Sequence, residues 1–506
     1  MADLRLKYGT SLNKQKMMEI TIVSIIALFL FVLSLYVKDA FCSWFNMQKG
    51  AGFYWYYDPS NPEAVWYIEG YVDASYYYQP YLYAFRYQNW NPYLGGEGPL
   101  NGYAYGPLFI YGLYFISLFV SIANPSLTNF QVVIESVKWT HIVFDSLSVV
   151  MLFFIVINLE IMKSKKFSKY LTGVIASVVY IFMPFNLLYI DALSLNIPQM
   201  TFFVLLGTFL FRKEKYILSS FAMTLGWLSK QMPLFIVVPW FIILWKKDED
   251  LKKALVDFLF PFFIFTLIFS IPWLILSPGG YLFRIFGPGK PLSIVSLSSK
   301  YNGYTVTLAH SFLKLGSETL ANIYLFLNKY MIPFFVFYIL TLLICYFNAL
   351  DIFNDEKQFY IYNTVVILVS HIFISRGIYK YYDAFFSPFF ILFLVLLLWS
   401  YFDLCRFNNR TLLYSYFFVS IISSSIILYY INWVIIIKSR FLHPLYLLLI
   451  FIFISSFLES NFYSSLTKFE SYRMIILDIK KIYSDIKNSL RIHKKEKDPK
   501  INPNLE

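Results

Sequence analysis

The feature that most restricts this chain is a succession of apolar runs almost free of charge, each about 17–25 residues long. At about 1.5 Å per residue such a run crosses a hydrocarbon core about 30 Å thick. Lipid offers the backbone no hydrogen-bond partner, so a crossing segment must satisfy its own N–H and C=O groups as a helix. The runs are apolar on every face and lack the alternation of a barrel strand. Composition agrees: of 506 residues, 58% are hydrophobic and 14% charged, against about 25% charged in soluble proteins. The sequence predicts an all-α polytopic membrane protein. No small-residue cleavage pattern follows the first run, 18–37, so it reads as a membrane segment rather than a cleaved signal.

Thirteen apolar segments are legible: 18–37, 107–123, 137–158, 170–189, 196–211, 216–229, 232–246, 254–277, 329–348, 358–375, 382–402, 411–436 and 442–457. Basic residues fall at the N-terminus (Arg5, Lys7, Lys14, Lys16) and in short loops at 163–169, 212–215 and 246–253. Hairpins that leave and re-enter the cytoplasmic side produce this spacing. The net charge of +12 is explained by the same loops, which leaves no case for nucleic acid. One conflict remains. Two full crossings at 107–123 and 137–158 would put 163–169 on the wrong side, so 107–123 is expected not to cross fully, leaving about twelve crossings with both ends inside. Residues 1–457 form the expected membrane domain, with long outer loops at 38–106 and 278–328. Residues 458–506 form a basic tail, read equally as an amphipathic helix on the inner leaflet or as a solvated segment.

The unusual loops gather on the outer side. Loop 38–106 is rich in Tyr and Trp, a composition that suits sugar stacking and an interfacial aromatic belt equally well. It is also acidic, with Asp58, Glu63, Glu69, Asp73 and Glu97. A carboxylate there suits a general base that takes a proton from a sugar hydroxyl. Asp145 lies within an apolar segment with Lys138 and His141 on the same helix face, which favours structural pairing of Asp145 with Lys138. Asp191, on an outer turn, is a possible second acid. Cys42, Cys345 and Cys405 are too scattered for a disulfide framework or a metal site. Gly287-Pro-Gly-Lys290 lacks the pattern of a phosphate loop, and no strand–helix alternation builds a nucleotide-binding domain. That favours a donor reached from within the bilayer.

Three elements occur in order: Asp73-Ala-Ser-Tyr-Tyr-Tyr78, Asn89-Trp-Asn-Pro-Tyr93 and Tyr103-Ala-Tyr-Gly-Pro-Leu108. Further on stand Ser229-Lys-Gln-Met-Pro233 and Arg376-Gly-Ile-Tyr-Lys-Tyr-Tyr382. This order resembles the GT-C superfamily of membrane glycosyltransferases, most of all the polyprenol-phosphate-mannose-dependent mannosyltransferases. The third element departs in one place: Gly106 stands where the family's Tyr-Pro-Pro-Leu element has its first proline. The resemblance implies an inverting transfer of a hexose, mannose or glucose, from a polyprenyl or dolichyl monophosphate to a lipid-linked glycan or glycolipid. It implies Asp73 as the general base and a metal-independent or weakly metal-dependent reaction, with no metal ligands and no cofactor assigned. The leaving group is a phosphate anion, so Lys230, Arg376 and Lys380 are its expected partners. Asn91, Tyr93, Tyr105, Gln231 and Tyr379 are expected at the substrate. His310 and His371 could orient substrate or proton, with a buried hydrogen-bonded state the more common condition for each. The expected location is a prokaryotic cell membrane, or the endoplasmic reticulum membrane in a eukaryote, with the site on the outer face. A transporter or flippase for lipid-linked glycans would share the body and the aromatic face, though no internal repeat is visible.

Overall fold

A computed structural model describes residues 2–49, 74–94, 103 and 105–286, apart from 164, 165, 184, 185 and 193, then most of 305–404 apart from short segments. The chain divides into two units, Met1–Ile450 and Phe451–Glu506. The second unit, the apolar segments 411–436 and 442–457, and loop residues 50–73 and 287–304 lie outside the described residues.

The described chain is an all-α polytopic membrane protein. In order its elements are α1 (Ala2–Lys49), a π turn (Ala74–Tyr78) leading into α2 (Gln79–Tyr87), α3 (Pro107–Ala123), α4 (Asn129–Ile157), α5 (Lys166–Ile181), a second π turn (Asn186–Ala192), α6 (Pro198–Arg212), α7 (Tyr216–Ser229), α8 (Leu234–Asp248), α9 (Leu251–Leu276) and α10 (Pro278–Phe286). Then follow β1 (Thr305–Val306), α11 (Glu318–Lys329), α12 (Ile332–Asn354), α13 (Glu356–Ile372), β2 (Ile378–Tyr379) and α14 (Asp383–Leu404). Four helices, spanning 16–44, 129–157, 251–276 and 332–354, are long and apolar enough to cross a membrane. The loops expected at 38–106 and 278–328 are partly helical: α1 continues to Lys49, and α10 and α11 occupy both ends of the later loop.

Local sequence sets the helix starts. Thr128 accepts a hydrogen bond from the Gln131 amide, and the Gln131 side chain accepts one from the Thr128 amide, a closed capping box for α4. Pro107 and Pro198 occupy the first position of α3 and α6, where no amide proton is needed.

Contacts at the helix ends fix their directions. Near the start of α1, Glu19 accepts hydrogen bonds from Lys169 (2.6 Å) and Tyr170 (2.8 Å), near the start of α5. Further along α1, Asp39 pairs with Lys138 of α4 at 3.2 Å. So α1 and α5 run the same way, and α4 runs against them. Lys213 donates to Asn158 at 2.7 Å and Lys247 to Glu214 at 2.9 Å, which gathers the ends of α4, α6 and α8. The three basic loops therefore share one end of the bundle, as the charge rule expects.

The segment 107–123 is explained by the same contacts. Phe109, at the start of α3, sits 6.2 Å from the His141 ring of α4, and residues 124–128 join the end of α3 directly to the start of α4. Thus α3 runs back along about the first half of α4 only and does not cross the bundle from end to end. With 29 residues, α4 is about 43 Å long, enough to cross and to continue beside α3. Beside α3 lies α2: Tyr78 packs on Phe109 with ring centroids 5.0 Å apart, and Arg86 donates to Ser121 at 2.6 Å.

The core away from the site is aromatic. Phe211 of α6 stacks on Phe359 of α13 at 5.7 Å and meets Trp240 of α8 at 4.5 Å. The fully buried Trp240 donates its indole N–H to Asn363 at 2.8 Å. At the basic-loop end, buried Glu356 accepts the Glu160 amide. Burial pushes the Glu356 carboxyl up to about 6, with the Glu160 amide and the Arg212 cation pulling partly against it.

Candidate functional site

Ion pairs in the bundle interior organise the end away from the basic loops. Lys38 of α1 is fully buried and pairs with both Asp145 of α4 and Asp191 of the second π turn, the latter at 2.7 Å. The other Asp145 oxygen accepts from Tyr180 at 2.7 Å and Asn186 at 3.3 Å. Cys42, one turn after Lys38, donates to the Asp191 carbonyl at 2.9 Å. Buried charges persist only when paired and hydrogen-bonded, and these are. The expected pairing of Asp145 with Lys138 is incorrect. Lys138 instead pairs with Glu135 at 2.8 Å and Asp39 at 3.2 Å, while Asp145 faces the interior. Shared helix face permitted the first pairing; a separate helix supplied a better-buried cation.

A second buried lysine is Lys230. It caps the C-terminal end of α7, where a cation meets the unpaired carbonyls of the last turn. The side chain is 3% exposed and donates to Asn196 Oδ1 at 2.9 Å. The start of α3 closes against the same end of α7. A Cβ added at Gly106 would lie 1.9 Å from the Leu228 carbonyl oxygen, so only glycine permits this approach. That contact supplies a physical reason for the departure from proline. Gln199, on the first turn of α6, donates to the Leu108 carbonyl at 3.1 Å. His141 of α4 stacks on Tyr78 with centroids 5.9 Å apart and planes 17° off parallel. Lys230 stands within electrostatic range of that imidazole.

The structure brings together several of the residues expected at the site. The π turn that ends in Tyr78 begins at Ala74, the residue after Asp73; Asp73 itself lies outside the described residues. Asn91 accepts the Tyr93 amide at 2.9 Å, which shapes the turn. Tyr93 is 1% exposed, donates to the Tyr105 carbonyl at 2.9 Å, and packs edge-on against Tyr281 and Trp273. It holds the loop to α9 and α10. Tyr105 places its hydroxyl 3.5 Å from that of Tyr78. Gln231 follows Lys230 and is half-buried, its carbonyl accepting the Leu234 amide at 3.3 Å. The backbone of Tyr379 pairs with Thr305, which ties the late turn to the long loop after α10. His371 lies in the last turn of α13. His310, Arg376 and Lys380 lie outside the described residues. Among the described residues, no group of three His, Cys, Asp or Glu side chains is placed to hold a metal ion.

Lys38, Asn196 and Gln199 were not singled out by the sequence. For Lys38 the available signal was a lysine directly after an apolar run, which reads as an ordinary boundary residue. Asn196 and Gln199 flank Pro198 at the opening of an apolar segment, the position of a helix start facing polar groups.

A family model described as GPI transamidase subunit PIG-U matches residues 78–284, less than half of the chain. The matched stretch runs from Tyr78 to Arg284 and so contains His141, Asp145, Asp191, Asn196, Gln199 and Lys230. No curated protein matches the chain.

Proposed function

We propose that this protein is an integral-membrane glycosyltransferase that moves a hexose from a polyprenyl or dolichyl monophosphate to a lipid-linked glycan or glycolipid. The observation that carries the reading is Lys230: a buried lysine at a helix C-terminus that donates a hydrogen bond to the side-chain oxygen of Asn196. A lipid phosphate entering from the bilayer is an anion that a lysine ammonium binds strongly in an apolar setting. Asp73 takes the proton from the acceptor hydroxyl as its oxygen attacks the anomeric carbon. The bond from that carbon to the phosphate oxygen breaks, and the phosphate monoester leaves as an anion. Lys230, Arg376 and Lys380 stabilise the charge that develops on it. The reaction takes place at the end of the bundle opposite the basic loops, the outer face.

The match to a subunit of GPI transamidase supports a second reading, in which the same residues hold a glycolipid for another protein to process. One assay separates the two. Purified full-length protein is given polyprenyl-phosphate hexose and a lipid-linked acceptor. The transferase reading requires sugar transfer by the wild type and a loss of about 10²–10⁴-fold in Asp73→Asn. Wild-type turnover in Asp73→Asn removes the base role. Binding of glycolipid with no transfer by the wild type supports the holding role instead.

A further inference from the structure

Three buried side-chain atoms on α4 and around the start of α6 have no hydrogen-bond partner among the described residues: His141 Nε2, Asn196 Nδ2 and Gln199 Oε1. The three side chains are 2%, 4% and 5% exposed. Burying such atoms unpaired is costly, so a cluster of them calls for a ligand.

Their polarity specifies that ligand. His141 Nδ1 lies 2.6 Å from the Val137 carbonyl, an acceptor, and so carries the ring proton. In the neutral ring Nε2 is then an acceptor. The Gln199 amide spends its nitrogen on the Leu108 carbonyl, which leaves its oxygen as a second acceptor. The Asn196 amide spends its oxygen on Lys230, which leaves its nitrogen as a donor. A phosphate alone would satisfy Asn196 Nδ2 but would set its oxygens against two acceptors. A polyhydroxylated ring satisfies all of them, because each hydroxyl both donates and accepts. Their residues are linked through shared neighbours. Asn196 bonds Lys230 directly, and Lys230 is in electrostatic range of His141. Leu108, which holds Gln199, immediately precedes Phe109, which packs on His141.

We propose that His141 Nε2 and Gln199 Oε1, with Asn196 Nδ2, form a hydroxyl-recognition subsite that reads the sugar ring of a sugar-phosphate lipid whose phosphate is held at Lys230. The proposal rests on the lipid-phosphate reading above and assigns the half of the ligand that reading leaves open.

The test compares two probes on the full-length protein in nanodiscs: a polyprenyl phosphate and the same lipid carrying a hexose. Affinities are measured for the wild type, His141→Phe, Gln199→Met and Lys230→Met. His141→Phe keeps a ring to stack on Tyr78 and removes the acceptor. The expected result is that His141→Phe and Gln199→Met each weaken the hexose-bearing lipid about tenfold and leave the sugar-free lipid unchanged. His141→Gln, which restores an acceptor, recovers part of the loss. Lys230→Met weakens both lipids. If His141→Phe and Gln199→Met treat the two lipids alike while Lys230→Met weakens both, the subsite is overturned and the phosphate reading stands. If the wild type binds neither lipid, or Lys230→Met changes nothing, the phosphate reading falls and the subsite with it. Should His141→Phe fail to fold, Gln199→Met decides by the same comparison.

Discussion

Lys38 Nζ lies 2.7 Å from Asp191 Oδ2 although 153 positions separate them in sequence, and the same ammonium also pairs with Asp145. One side chain thereby ties α1 to both carriers of the site: α4 with His141, and the segment that leads to Asn196. Removing one partner from a buried ion cluster leaves the others uncompensated, at a cost of about 3–5 kcal/mol. Lys38→Met is therefore expected to lower the unfolding midpoint sharply. The triple variant Lys38→Met/Asp145→Asn/Asp191→Asn, which removes all three charges, is expected to recover most of that loss. Unfolding in mixed micelles measures both. A wild-type midpoint in Lys38→Met would show that the cluster does not hold α1.

Gly106 is expected to tolerate no side chain. Its added Cβ would press on backbone, the Leu228 carbonyl at 1.9 Å, which cannot swing aside as a flexible side chain would. Overpacking costs about 1–3 kcal/mol, and a backbone clash belongs at the upper end. Gly106→Ala is expected to lose about 3 kcal/mol and to weaken lipid binding, because Leu228 is two residues from Lys230. Thermal unfolding of Gly106→Ala checks this, with an unchanged midpoint as the contrary result.

Tyr93 separates a holding role from a substrate role. Its hydroxyl bonds the Tyr105 carbonyl at 2.9 Å. Tyr93→Phe strands that carbonyl and is expected to cost about 1–2 kcal/mol of stability with little change in KM. Stability at the wild-type level with a raised KM would instead place the hydroxyl on substrate.

Glu356 makes the basic-loop end sensitive to pH. Burial raises its pKa from the ordinary 4.5 to about 6. The folded state then binds the proton more tightly than the unfolded state does. Its stabilising contribution is complete below about pH 4.5 and is lost as pH rises through about 6. The difference corresponds to about 2 kcal/mol above that window. Glu356→Gln keeps an oxygen for the Glu160 amide, so it is expected to be more stable than wild type at pH 7.5 and equal to it near pH 4. Unfolding midpoints measured across this range check the sign.

The membrane class was legible in the sequence because uncharged runs leave the backbone no alternative to helix. The orientation of α4 followed from the charge rule, and the partial path of α3 from the conflict at 107–158. Lys230 was legible as a motif residue at an outer turn. The partner of Asp145 was not: helix periodicity reports neighbours within one helix, such as Lys138, and says nothing of a lysine on a helix 107 positions away. Asn196 and Gln199 were invisible for a related reason. A polar residue near a helix start is ordinary, and what sets these two apart is an unpaired atom in a dry interior, which only packing reveals.

The proposed reaction requires a lipid phosphate at Lys230. Photocrosslinking with a polyprenyl phosphate bearing a diazirine on its first isoprene unit, next to the phosphate, tests this most directly. Labelled peptides are expected within 103–112, 196–204 and 226–234, with labelling lost in Lys230→Met and competed by unlabelled lipid. Labelling confined to the basic-loop end around 160–169 and 246–253, or labelling that persists unchanged in Lys230→Met, would contradict it.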